Sequence, residues 1–121
     1  MMKTNVLRKT IEIDAAGKAV GRVASQVAKS LLGKHKADYL PHNDSGDKVV
    51  VNNAGKVIFT GKKLVQKDYF HHSMHPGGIK QTSMKKVFDK DAREVMRKAV
   101  AGMLPKGPRR DSLMKRLTVN K

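Results

Sequence analysis

Residues 20–33 read Val20-Gly21-Arg22-Val23-Ala24-Ser25-Gln26-Val27-Ala28-Lys29-Ser30-Leu31-Leu32-Gly33. Val20, Val23, Ala24, Val27, Ala28, Leu31 and Leu32 recur at i, i+3, i+4, i+7, i+8, i+11 and i+12, the stripe of one buried helical face. The spacing predicts a helix over residues 19–32. Gly33 follows the last periodic position and suits a left-handed C-cap. Lys29 and Lys34 lie near the negative end of the helix dipole. Upstream, Ile11 and Ile13 alternate with Thr10 and Glu12, which predicts a strand over residues 9–14, closed by a turn at 14–18. Downstream, Val49-Val50-Val51 is a β-branched run that reads as a buried strand over residues 47–52. Strand, helix, loop, strand is a βαβ unit, whose helix crosses right-handed over a parallel pair. The class is α/β, with helices covering at least one sheet face.

The other segments follow from that frame. Residues 34–46 form an irregular loop carrying Lys34, His35, Lys36, Tyr39, Pro41, His42, Asn43 and Asp44. A loop that long in a small domain is more often functional than idle. Residues 56–60 read as a further strand. Residues 53–55 before it fit either a hairpin or a tight non-hairpin turn. A second long helix is expected over residues 91–104, with Val95, Met96, Ala99, Val100 and Met103 periodic. Asp91 and Glu94 resemble a capping box. Gly102 within this helix costs about 1 kcal/mol relative to Ala and suggests a close backbone approach. Pro105 stops the helix. Residues 112–117 read as a short basic helix and 118–119 as a last strand. Residues 1–8 read as a basic arm on a single domain of residues 1–121.

Charge is the first functional signal. The 121 residues include 26 Lys and Arg against 10 Asp and Glu, a formal net charge of +16 with His neutral. Such a body repels itself, and a dense polyanion relieves the repulsion. Nucleic acid does so with release of condensed counterions. A membrane surface is the competing polyanion, but no long basic amphipathic helix with aromatic anchors is present. The chain has no cysteine, which excludes disulfides, thiolate zinc sites and a Cys nucleophile. Residues 1–12 hold no signal-peptide core, and no run approaches the roughly 18 apolar residues of a membrane span. The expectation is a soluble intracellular protein.

Motifs of chemistry are weak. Gly17-Lys18-Ala19-Val20-Gly21-Arg22 is neither a Walker loop nor a dinucleotide fingerprint. Gly17 there shapes the turn and Gly21 lets the helix pack closely, while Lys18 or Arg22 could still touch a phosphate. His71, His72 and His75 have no acid among them, and nearby lysines repel a divalent cation. Their planar rings suit stacking on bases or hydrogen bonds to phosphates and 2′-hydroxyls. Asp44 and Asp47 flank Gly46 but read as a turn residue and a strand start. Ser45 near His42 lacks a nucleophile elbow. No enzyme, cofactor, metal or small-molecule substrate is expected.

The basic residues fall in runs. Lys34 and Lys36 end the first helix. Lys62, Lys63 and Lys67 follow residue 60. Lys80, Lys85 and Lys86 lie beyond the turn at residues 76–78. Lys106, Arg109, Arg110, Lys115 and Arg116 crowd the tail. Acids are scarce beside these runs, so intrachain salt bridges are not expected to account for them. With only five aromatic residues, a stacking platform is not the main mechanism, and the pattern favours folded RNA gripped by shape and backbone.

Several pieces recur in a recognisable order. They are Gly17-Lys18 with Gly21-Arg22, Gly33-Lys34-His35-Lys36, Tyr39-Leu40-Pro41-His42 with Gly46-Asp47, Asn53-Ala54 and Thr60-Gly61-Lys62-Lys63. Then come Lys67, Tyr69, His71-His72, Gly77-Gly78-Ile79-Lys80, and Gly102-Met103-Leu104-Pro105-Lys106-Gly107-Pro108 followed by Leu117 and Val119. Together they resemble the large-subunit ribosomal protein L thirteen family, bacterial type, over about residues 9–119. The resemblance implies a non-catalytic, early-assembling component of the large ribosomal subunit. Its implied partners are 23S-type ribosomal RNA and neighbouring large-subunit ribosomal proteins, in a cytoplasmic ribosome or an organellar one. It also implies a three-layer α/β/α fold with a small, mostly parallel sheet and basic loops, which disfavours the hairpin at 53–55. RNA contact is carried onto Lys34, His35, Lys36 and His42 in the first loop. It falls on Lys62, Lys63, Lys67, Tyr69, His71, His72, His75, Gly77, Gly78 and Lys80 in the middle segment. In the tail it falls on Lys106, Arg109, Arg110, Lys115 and Arg116. The family commonly has an aromatic pair in its first strand, where this chain has residues 10–13. Two other classes share parts of the pattern: a general DNA- or RNA-binding regulator, and a metal-dependent enzyme built on His71, His72 and His75.

Overall fold

A computed structural model describes residues 7–121, so residues 1–6 of the basic arm expected over 1–8 lie outside the described residues, while Arg8 at its end is bonded into the fold. In chain order the elements are β1 (Thr10–Asp14), α1 (Val20–Leu32), β2 (Lys48–Asn52), α2 (Lys63–Gln66), β3 (Asp68–His72), β4 (Ile79–Ser83), α3 (Met84–Lys90), α4 (Ala92–Met103), α5 (Pro108–Met114) and β5 (Leu117–Val119). The apolar stripe of α1 is buried at Val20, Val23, Ala24, Val27, Ala28 and Leu31. Gly33 ends the helix at φ 84°, and its N–H donates to the carbonyls of Lys29 and Ser30. Only glycine adopts that left-handed geometry without strain.

The main sheet runs β1-β2-β5, all parallel. Its register sets Ile11 beside Val49 and Leu117, and Ile13 beside Val51 and Val119. Side chains alternate across a strand, so these six residues share one face. Helix α1 packs over β1 and β2, α4 over β5, and the two helices touch each other on that face. Val49 and Val51 are fully buried beneath them. On the opposite face Thr10, Glu12, Lys48 and Thr118 are exposed and Val50 and Asn52 partly covered, and the whole is the α/β class with a small parallel main sheet that was expected. Both connections, β1 to β2 and β2 to β5, step the same way across the sheet. Two right-handed crossovers in one direction place their helices on one side.

Residues 53–55 are not a hairpin, because β2 lies between β1 and β5. Asn53 takes a left-handed turn at φ 61° and Ala54–Lys56 forms one 3₁₀ turn. The strand expected over residues 56–60 shrinks to a single parallel bridge between Ile58 and Ala19. Residues 68–83 instead form the antiparallel hairpin β3–β4, turned by Pro76-Gly77-Gly78 with Gly77 at φ 73°. Helix α3 follows, with Ser83 accepting from the Lys86 N–H as its N-cap and Phe88 edge-on to Phe59 at 5.2 Å. Asp91 separates α3 from α4 and caps α4 through the Arg93 N–H. The reciprocal capping box does not form, since the Glu94 carboxylate pairs with Arg97. A Cβ at Gly21 or Gly102 would meet nothing within 4 Å, so neither glycine marks the close packing expected of it. The short basic helix begins earlier than expected, at Pro108.

The close approach occurs elsewhere. Residues 34–46 leave the end of α1 and return across it, so a Cβ on Gly46 would lie 1.7 Å from the Leu31 carbonyl oxygen. Two carboxylates hold this return in place. Asp47, with a side chain only 2% exposed, accepts from His35 Nε2 at 2.8 Å, Lys36 Nζ at 3.0 Å and the Lys9 N–H at 3.1 Å. Asp44 accepts from both Arg116 terminal nitrogens at 2.7 and 2.8 Å, with Arg8 at 3.5 Å and Arg109 at 4.0 Å. The same cations also donate to backbone carbonyls, Arg109 to Pro41 and Asn43, Lys36 to Ser45 and Arg8 to Gly46 and Asp44 in the loop, and Arg116 to Leu31 at the end of α1. The Arg116 hydrogen bonds hold the Asp44 carboxyl below its ordinary value. Burial works to raise that of Asp47, and the bonds from Lys36, the Lys9 N–H and His35 outweigh it, so its carboxyl also sits low.

Three outcomes follow from this closure. Gly46→Ala is expected to lower stability by about 1–3 kcal/mol or more, because backbone must move; an unchanged denaturant midpoint would refute the close approach. A carboxyl depressed on folding stabilises above its ordinary value of 3.8 and loses that contribution as pH falls through the depressed folded value. Urea midpoints should therefore hold at neutral pH and fall between about pH 5 and pH 2. Asp47→Asn should cost about 1–3 kcal/mol at neutral pH, less than a fully buried pair, and flatten that fall. His35 and Lys36 are 33% and 22% exposed, which sets the discount.

Candidate nucleic-acid interface

Intrachain pairs do not account for the basic runs as a whole, but the loop closure takes up part of them. Lys36, Arg109 and Arg116 are in ion pairs, and His35 is bonded to Asp47. These four of the sequence-nominated residues brace residues 34–46 from within. The loop they brace presents Lys34 and His42 to solvent. The pairings bring together residues 72 apart in the chain, for Arg116 with Asp44, and no local spacing signals that.

Three other carboxylates are also bonded within the chain. Asp14 accepts from Asn53 and the Ala16 N–H, and those bonds hold its carboxyl low. Asp91 is held low by Arg93 in the same way. Asp68 accepts from the Gln81 amide. Among the described residues, Lys34, Lys62, Lys63, Lys67, Lys80, Lys106, Arg110 and Lys115 make no salt bridge. Lys106 stands on the exposed turn between α4 and α5, and Lys115 just past α5. Arg110 is partly buried on α5.

The middle segment gathers the densest set. Lys62 and Lys63 open the short α2, and Lys67 leads from it into β3. Beside them, a cleft of 340 Å³ lies between α1, β3 and α4, lined by Lys63, Lys67, Tyr69, Met84, Lys98 and Gly102 among others. No carboxylate lines it. The Lys98 and Lys67 ammonium groups stand 4.3 and 5.8 Å from the Tyr69 ring centroid, which suits the negative face of the ring. Burial pushes the Tyr69 phenol up, so it remains a neutral hydroxyl at physiological pH. Three lysines around an acid-free cleft can receive an anion. Sequence reasoning misses Lys98, because it lies inside the second long helix and outside the basic runs.

The hairpin divides the nominated histidines. His71 and His72 are adjacent on β3 and point to opposite faces, with His71 opposite Lys80 and His72 opposite Ile79. His75 lies in the turn and its carbonyl accepts from the Gly78 N–H. Gly77 and Gly78 shape that turn; a Cβ on Gly78 would lie 2.0 Å from Ser73 Oγ. Among the described residues no three His, Asp or Glu side chains converge as metal ligands would. A second cleft, of 510 Å³, lies at the start of α1 beside Lys18 and Arg22. No helix of the described residues is long and apolar enough to cross a membrane.

This arrangement can be set beside known proteins. The large ribosomal subunit protein uL13 of Bordetella avium is 47% identical over 114 residues, covering 94% of this chain and 80% of that protein. The protein of that name from Clostridium tetani is 52% identical over 114 residues, 94% of this chain and 79% of the relative. That of Agathobacter rectalis is 54% identical over 101 residues, 84% and 71% respectively. A family model described as ribosomal protein L13 matches residues 8–121. Identity near one half across this length, with the family match running from the loop-bracing Arg8 to the last residue, means that the chain belongs to the ribosomal protein L13 family of structural, non-catalytic proteins.

Proposed function

We propose that this chain is a structural constituent of the large ribosomal subunit and binds 23S-type ribosomal RNA. One observation carries the reading: the best-buried carboxylates, Asp44 and Asp47, are committed to bracing the fold, while a set of exposed lysines pairs with no carboxylate among the described residues. Lys62, Lys63, Lys67, Lys80 and Lys106 are the principal contacts to phosphate. Lys34, His42, Arg110, Lys115 and the hairpin histidines extend the surface. His35, Lys36, Arg109 and Arg116 act first by fixing the loop that presents Lys34 and His42. Unpaired ammonium groups on a +16 body gain most from phosphates, through counterion release. The reading includes neighbouring large-subunit proteins as partners, a cytoplasmic ribosome as the place of work, and a role early in subunit assembly. The relatives share the large-subunit name, which supports it.

Sedimentation of a lysate through a sucrose gradient tests this directly. The chain should travel with the large subunit and protect a defined region of its RNA. A chain that stays at the top of the gradient would sink the reading. A finer test is the combined change Lys62→Ala, Lys63→Ala and Lys80→Ala. These side chains are exposed and unpaired, so the thermal midpoint should stay put. Affinity for the RNA should fall, and the slope of log K against log salt should shrink by about 0.7–0.9 for each phosphate that is no longer neutralised.

A further inference from the structure

The outer face of the β3–β4 hairpin carries apolar surface that the fold does not use. The register sets Asp68 opposite Ser83, Phe70 opposite Gln81 and His72 opposite Ile79, so these six side chains share a face, with Phe70, His72, Ile79 and Gln81 toward its outer end. Tyr69, His71, Lys80 and Thr82 share the other. The Tyr69 face turns inward: Tyr69 packs against the core and Lys98 covers its ring. The Phe70 face therefore turns outward, and Phe70 stays 66% and Ile79 62% exposed. Met74, just beyond β3, is fully exposed. An aromatic ring and an isoleucine held on the outside of a rigid hairpin cost solvation free energy unless something covers them.

The surroundings choose the occupant. Residues 61–86 hold six lysines and three histidines against the single acid Asp68, which is bonded to Gln81. That potential favours a polyanion over a protein surface of ordinary charge. On the face itself the ring is edged by the Gln81 amide across the ladder and the His72 imidazole two residues on. A nucleobase matches this set, with a π-face for Phe70 and a polar edge for the amide and imidazole. A lipid chain or an apolar protein side chain would leave the His72 imidazole, and the Gln81 amide oxygen that the Asp68 bond does not use, without partners.

We propose that Phe70, flanked by His72, Ile79 and Gln81, is a stacking site for one unpaired nucleobase of the RNA that this chain binds. The proposal rests on the reading of ribosomal RNA binding and refines it. Besides backbone phosphates held by lysines, the hairpin takes a base from a bulge or loop, since a base inside a duplex has no free face. Stacking on an aromatic side chain is a short-range contact that carries no charge. It adds affinity without adding to the salt slope.

The full-length chain and deproteinised large-subunit ribosomal RNA provide the test. Phe70→Ala should bind about 5- to 100-fold more weakly at every salt concentration, with the salt slope unchanged. Phe70→Tyr should restore binding. The sequence contains no tryptophan, so Phe70→Trp places a sole indole at the site, and its fluorescence should be quenched when the RNA is added. Phe70→Ala binding as tightly as the parent chain, while the parent binds well, overturns the stacking site and leaves the wider reading standing. A parent chain that does not bind the RNA overturns both. An indole that ignores RNA but responds to the RNA-free large-subunit proteins, or to vesicles of anionic lipid, assigns the face to that partner and overturns the proposal.

Discussion

The return of the chain across the C-terminal end of α1 is the constraint on which the remaining structure depends. The chain must leave α1 at Gly33, wander through residues 34–46, and enter β2 directly beneath the helix it has just left. Gly46 makes the crossing sterically possible, because it lies against the Leu31 carbonyl where no side chain fits. Asp44 and Asp47 make it energetically favourable by gathering cations from four separate segments of the chain. Arg8 precedes β1, His35 and Lys36 follow α1, Arg109 lies in α5 and Arg116 precedes β5. One loop therefore ties the start of the sheet to its end. The geometry of the parallel β1-β2-β5 ladder follows from that tie as much as from the valines in its core.

A small body with a large net charge must also survive its own repulsion. The core answers part of this with aliphatic burial: Val23, Val27, Leu31, Val49, Val51, Val95, Met96 and Val100 are almost wholly enclosed. The few acids answer another part, since they stand where cations would otherwise crowd. What is left unbalanced is pushed to the periphery, onto α2, the hairpin and the turn after α4. The least protected part of the fold, the two-stranded hairpin, is also the part with the densest uncompensated charge. A two-stranded ribbon is marginal by itself, and contact of Tyr69 and Met84 with the core steadies only its base.

The sequence was legible where periodicity ran long. Helices α1 and α4 announced themselves because each buries one face against a single core, and burial writes a period into the chain, while β2 was marked by its β-branched run. The hairpin was not legible, because β3 reads Asp68-Tyr69-Phe70-His71-His72 and alternates no apolar face. Its fold is set by the turn at Gly77 and by cross-strand pairs, not by burial. Helix α3 was hidden because it has two turns, too short for a period to stand out, although Ser83 caps it. The candidate interface divided along the same line. Exposed lysines such as Lys62 and Lys80 could be nominated from charge alone. The bracing roles of Arg109 and Arg116 could not, since their partners lie far off in sequence and only the closed loop brings them near.

The division between arginine and lysine in this chain has a physical origin. Arg8, Arg109 and Arg116 turn inward to carbonyls and to Asp44, where a planar, weakly hydrated fork can satisfy several oxygens at once. The unpaired set at the surface is mostly lysine, whose compact charge keeps its water and moves on a flexible stem. Such groups bind phosphate wherever it lies but define no register. Register has to come from elements of defined geometry, and those near the lysines are the hairpin ladder, steadied at its base, and the arginine-braced loop. Charge alone would then draw many nucleic acids, while the fixed geometry of these two elements would select among them.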